Sequence, residues 1–199
     1  IGSISRCLVG LETVMSRYPE EIEREREKWR RFPRRRPARI EIPGPGQESV
    51  WDYPRPPRVE AVSDRVRIEF GGIILAESLR AFRVLETSSP PVYYLAPEDI
   101  RMECLEPMEG SSLCEWKGWA RYWAVRVRDR MAEQAAWSYP DPDRGYEVIT
   151  DYLAFYPGKM DACYVGDRRV TPQPGNYYGG WITPNVVGPF KGAVGTEEW

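Results

Sequence analysis

The chain has 199 residues with 28 Lys and Arg against 30 Asp and Glu, and it contains no histidine. That length suits one domain and an appendage, and the missing histidine removes Ser-His-Asp and Cys-His nucleophile pairs together with His-based metal sites. Charge is unevenly spread: residues 15–46 hold ten basic and six acidic side chains, while 47–199 holds 17 and 23, so the body is mildly acidic and unsuited to gripping nucleic acid phosphates.

In chain order, residues 1–14 precede Met15 and read as a vector-derived or upstream segment, outside the functional argument. From Pro19 to Arg31 the sequence predicts a short helix, with proline first, Glu20 and Glu21 in the first turn and Arg30 and Arg31 in the last. Only Ile22 and Trp29 form an apolar side. Arg30, Arg31, Arg34, Arg35, Arg36 and Arg39 make a basic cluster, read as a solvated tail because no aromatic stacking platform accompanies it. Ile42 to Gly46 reads as a proline-glycine linker, which sets limits of 15–46 for the charged extension, 47–192 for the domain and 193–199 for a tail.

Within the domain, Val66–Phe70 alternates apolar and polar residues, and Gly71-Gly72 is a hairpin turn into Ile73–Ala76. Further strands are predicted at Ala81–Leu85, at Val92–Leu95 after a Pro90-Pro91 interruption, at Ala120–Arg128 and at Met131–Trp137. Pro97–Ile100 reads as one helical turn and Tyr146–Leu153 as a short helix. Ala162–Val165 and Arg168–Val170 close the series through a Gly166-Asp167 turn. Many short strands without βαβ alternation predict a mostly β protein of antiparallel sheets folded into a sandwich or an open barrel.

Cys7, Cys104, Cys114 and Cys163 include no C-x-x-C pair, so the expected state is reduced thiols without a metal, although the spacing of Cys104 and Cys114 permits a disulfide. No apolar run approaches the roughly 20 residues of a membrane span. The expectation is therefore a soluble, cytoplasmic protein without cofactor, monomeric or a weak homodimer.

Several stretches together carry a resemblance. Trp51-Asp52-Tyr53-Pro54-Arg55-Pro56-Pro57, Leu85 to Tyr94, Trp116-Lys117-Gly118, Ala136 to Pro142 and Ala154-Phe155-Tyr156-Pro157 resemble the signature of the family catalogued as domain of unknown function 427, and Tyr178 to Thr183 and Gly188 to Gly192 extend the likeness. The family is similar to the β-tent folds, among them the ligand-binding domain of cereblon, in which two antiparallel sheets lean together and tryptophans cage ligands. Many β-tent relatives hold zinc through paired C-x-x-C motifs, which are missing from this sequence.

The candidate site residues follow from chemistry. Trp123, Trp137 and Trp181 with Tyr139 are expected as the walls of a small-molecule pocket, Trp51 and Tyr53 as one closing side, and Glu86 as the polar group that orients the ligand. The plainer reading makes each ring ordinary core. Lys117 is a counter-charge or, if desolvated, a nucleophilic amine, which leaves a histidine-free hydrolase or transferase acting through Glu86 and Lys117 as the alternative function. The simpler account of these two is a mutual salt bridge. Arg83 and Tyr94 are second-line candidates.

Overall fold

The computed structural model describes residues 17–33, 35–175 and 177–199, so the 1–14 segment and Arg34 of the basic cluster lie outside the described residues. The described residues divide between Phe32 and Pro33 into two compact units. In the first, α1 (Glu20–Arg31) carries its acids in the first turn and its bases in the last, as the helix dipole favours, and Arg31 reaches Glu27 at 2.6 Å one turn back.

Among its described residues the second unit holds fifteen strands: β1 (Glu48–Ser49), β2 (Arg58–Ala61), β3 (Val66–Phe70), β4 (Ile73–Ser78), β5 (Phe82–Glu86), β6 (Ser89–Leu95), β7 (Leu105–Cys114), β8 (Gly118–Val127), β9 (Arg130–Ser138), β10 (Leu153–Phe155), β11 (Ala162–Val165), β12 (Arg168–Arg169), β13 (Thr171–Pro172), β14 (Trp181–Ile182) and β15 (Val186–Val187). A seven-stranded sheet has the order β2-β5-β6-β10-β9-β8-β7, and a four-stranded sheet the order β12-β11-β3-β4. Both are antiparallel. The mostly β, antiparallel class expected from the sequence is what the chain adopts.

Alternation explains the local choices. Val66, Ile68 and Phe70 point inward from β3, and Gly71 and Gly72, both at positive φ, turn the chain into β4. Gly71 has a second constraint, since a Cβ there would lie 2.6 Å from Val127 Cγ1. The main core, which includes Ile68 and Leu75 from the four-stranded sheet and Leu95, Val125 and Phe155 from the seven-stranded one, joins facing surfaces of the two sheets.

Two sequence expectations are corrected, and one strand is added. Pro90 and Pro91 do not interrupt the strand: they begin β6, beside a register shift between Val84 and Glu86 and short of the residues that pair with β10, so few ladder donors are needed from them. No helix runs from Tyr146 to Leu153. A single 3-10 turn at Glu147–Ile149 ends as Asp151 takes a positive φ, and Leu153 is drawn into the slot between β6 and β9, where sheet pairing overrides helical propensity. The strand β7 is new. It is an edge strand paired only with β8, broken in register between Pro107 and Ser111, and therefore without the alternation that marks a half-buried strand. Because β7 separates Cys104 from Cys114 by ten extended residues, about 30 Å at strand rise, both thiols are free.

Candidate functional site

The face of the seven-stranded sheet turned away from the main core carries an aromatic row. Phe82 lies opposite Tyr94, Tyr94 opposite Ala154, Ala154 opposite Trp137 and Trp137 opposite Tyr122, so one line across β5, β6, β10, β9 and β8 presents four rings on a single face. Tyr139, two residues beyond Trp137, extends it, and Tyr146, Ile149 and Tyr156 pack over it. The Trp137 ring meets Tyr156 at 4.6 Å and Tyr94 edge-on at 6.3 Å, and its Nε1–H donates to the Tyr94 hydroxyl at 3.3 Å. Tyr146 is held from the other side by its hydroxyl, which donates to the Pro57 carbonyl at 2.9 Å.

Into this cluster the β7–β8 turn delivers Lys117. Its side chain is only 7% exposed, and Nζ sits 5.7 Å from the Tyr139 ring centre and 5.9 Å from that of Tyr146. Among the described residues Nζ makes no hydrogen bond and no ion pair. Burial works against the charged form, but Cys114, Tyr94, Glu86 and Tyr146 together pull harder the other way and hold the Lys117 pKa above the ordinary lysine value, so the amine is an ammonium at neutral pH. Burial pushes the Tyr94 phenol up to about 12 against the pull of Lys117, and it raises Tyr139 well above the usual tyrosine range. The site is thus a cation among neutral phenols.

The other expected residues lie elsewhere. Since Tyr122 faces Trp137 while Trp123 faces Ala136, consecutive residues of β8 place Trp123 and Trp137 on opposite faces of the sheet. Trp123 packs against the main core and donates to Ser138 Oγ at 3.1 Å. Trp181 is fully buried in the main core, 5.0 Å from Tyr93, with its Nε1 donating to the Phe155 carbonyl at 3.0 Å. Trp51 and Tyr53 belong to a third cluster around Val50 and Leu85, where Trp51 donates to the Pro189 carbonyl. The three tryptophans therefore do not form one cage; Trp137, Tyr139 and Tyr94 are the members brought together.

Glu86 does not pair with Lys117. Its Oε1 accepts from Arg55 Nη2 at 2.8 Å, and both side chains are largely buried. Arg83 is a structural bridge to Glu48 and Glu60. Sequence reasoning missed Arg55, Tyr146 and Tyr156 as neighbours of the site. For Arg55 the available signal was a lone cation within an aromatic and proline run, and for Tyr156 a tyrosine one residue past a strand. No group of three or more Cys, Asp or Glu side chains among the described residues is placed to hold a metal ion.

A family model described as a domain of unknown function (DUF427) matches residues 58–166, just over half of the chain. The chain belongs to this family. The stretch matched contains the cluster's Tyr94, Lys117, Trp137, Tyr139, Tyr146 and Tyr156 and also Glu86, while Arg55 falls just before it. No curated protein matches the chain. No helix among the described residues is long and apolar enough to cross a membrane.

The raised phenols give a pH prediction. Tyr93 and Tyr94 are each pushed by burial from the ordinary value near 10 up to about 12, so in that interval the folded chain binds more protons than the unfolded one and stability falls as pH rises. Their contribution is complete below about pH 10 and lost through about pH 12. Urea midpoints at about pH 8 and pH 11 should differ, the higher pH being the less stable, with phenolate absorbance of the buried rings appearing late. Equal midpoints, with every tyrosine ionising near its ordinary value, would contradict this burial.

Proposed function

We propose that this protein is a small-molecule binding domain whose ligand seat is the aromatic cluster of Tyr94, Trp137, Tyr139, Tyr146 and Tyr156, with Lys117 as the polar group that orients the ligand. The limits we take for it are 47–192, with 15–46 and 193–199 as flanks. The observation that carries the reading is the Lys117 ammonium, nine-tenths buried against ring faces with its donors unspent. A lysine contributing only to stability would be expected at the surface or in a hydrogen-bonded pair, because an unpaired buried charge costs stability. Flat rings around a few polar atoms are what small-ligand sites are made of. Half-buried Trp116, Tyr122 and Tyr156 at the margin leave the cluster partly open to solvent.

A hydrolase or transferase acting through Glu86 and Lys117 has less support. Arg55 already occupies the carboxylate, and a protonated amine is not a nucleophile. Lys117→Met separates a binding role from a structural one. Removing a buried charge should stabilise the free protein by about 1–2 kcal/mol, a rise of a few degrees in Tm. The same substitution should abolish the thermal shift given to the wild type by any hit from a screen of nucleobases, cyclic imides, amines and small metabolites. A variant less stable than wild type, together with a screen that shifts neither protein, would mark Lys117 as a structural residue and defeat the proposal.

A further inference from the structure

Charge accounting around Lys117 narrows what the seat accepts, an inference that rests on the binding reading above. Of the groups that act on the ammonium, Cys114, Tyr94, Glu86 and Tyr146, the carboxylate is Glu86. Its Oε1 is 2.8 Å from Arg55 Nη2, so its charge is largely matched by a guanidinium whose own Nε and Nη1 are buried without a hydrogen-bond partner. Arg55, Glu86 and Lys117 together therefore leave one positive charge unmatched in a largely buried region.

The neutral groups are arranged as donors rather than acceptors. Tyr94 is among the most deeply buried side chains, and its oxygen accepts from Trp137 Nε1, which leaves its own O–H proton to give. Tyr146 spends its proton on the Pro57 carbonyl, so it offers Lys117 a ring face. An ammonium with three protons and a phenol with one, both near-buried and walled by rings, lack an acceptor that carries charge.

We propose that the seat binds a small organic anion, an oxyanion group on an apolar or aromatic body, with Lys117 taking the charge and the Tyr94 hydroxyl donating to the same group. A carboxylate and a phosphate ester share this chemistry, and the seat would meet either with the same two donors. The surrounding rings supply area for the body of the ligand and exclude water from the ion pair.

Isothermal titration of the full chain with matched aromatic probes tests this: benzoate and phenyl phosphate as the charged arms, and benzamide and phenol as their neutral counterparts. The wild type should bind at least one charged probe about ten-fold or more tighter than its neutral counterpart, a difference of about 1.4 kcal/mol or more, and the stronger charged arm identifies the oxyanion. Lys117→Met should erase the preference by weakening the charged probe while leaving the neutral one within about two-fold, and Lys117→Arg should retain it. The charged-against-neutral comparison in the wild type stands even if a variant fails to fold. Neutral probes that bind as tightly as the anions would overturn the anion assignment and leave the binding seat standing. Saturable binding by none of the four, with no hit in the broader ligand screen, would remove both.

Discussion

Trp181→Ala is expected to lower the unfolding free energy by about 3–5 kcal/mol, the range for emptying a large aromatic from a packed core. The ring is fully buried, it lies 5.0 Å from Tyr93, and its Nε1 satisfies the Phe155 carbonyl on β10, so truncation leaves a cavity and strips a buried acceptor at once. Trp181→Phe fills most of that volume and should cost less, roughly 1–3 kcal/mol, chiefly through the unsatisfied carbonyl. Urea melts of the two variants beside wild type check both numbers. A loss below about 1 kcal/mol for alanine would mean that this tryptophan does not fill the core.

The second large effect falls on the aromatic cluster around Trp137. A Cβ at Gly179 would stand 2.3 Å from Trp137 Cη2 and 2.7 Å from Cζ3, closer than any real methyl contact, and an indole wedged against Tyr156 and Tyr94 has little room to retreat. Gly179→Ala should cost about 1–3 kcal/mol by overpacking and displace the Trp137 ring, with a change in tryptophan fluorescence and loss of any ligand-induced thermal shift. Gly158→Ala is the control: its Cβ would meet Pro172 at an ordinary 3.6 Å, so a perturbation of equal size there would show that the Gly179 effect is not steric.

What the sequence made legible, and what it did not, follows from the range over which each signal acts. Strand β3 and its Gly71-Gly72 turn were readable because alternation and left-handed turn geometry are local. The edge strand β7 was not, since Pro107, Gly110 and its glutamates carry no buried stripe and only pairing with β8 makes it a strand. Helical propensity at Tyr146–Leu153 lost to a vacancy between β6 and β9 that no local pattern encodes.

For the site, the residue types were visible and their grouping was not. Tyr139 and Trp137 fall in one cluster because Tyr139 lies one residue past the end of the strand that holds Trp137. Trp181 and Trp51 looked equally suitable in their glycine- and proline-rich surroundings, yet each fills a core of its own, and the face on which a ring lands depends on register across strands distant in sequence. The same limit hid the partner of Glu86: Arg55 is 31 residues away and reaches it through the packing of the turn at the start of the domain.

The parallel pairing of β1 with β15 sets a schedule for synthesis. Glu48 and Ser49 bond with Val186 and Val187, and Trp51 Nε1 seeks the Pro189 carbonyl 138 residues away. Contacts of such sequence separation form slowly because a long loop must close first. A nascent chain with both large sheets already translated still has the cluster around Val50, Trp51 and Leu85 unsealed until Val186 to Pro189 have left the ribosome, an interval in which that cluster is open to chaperones and to aggregation.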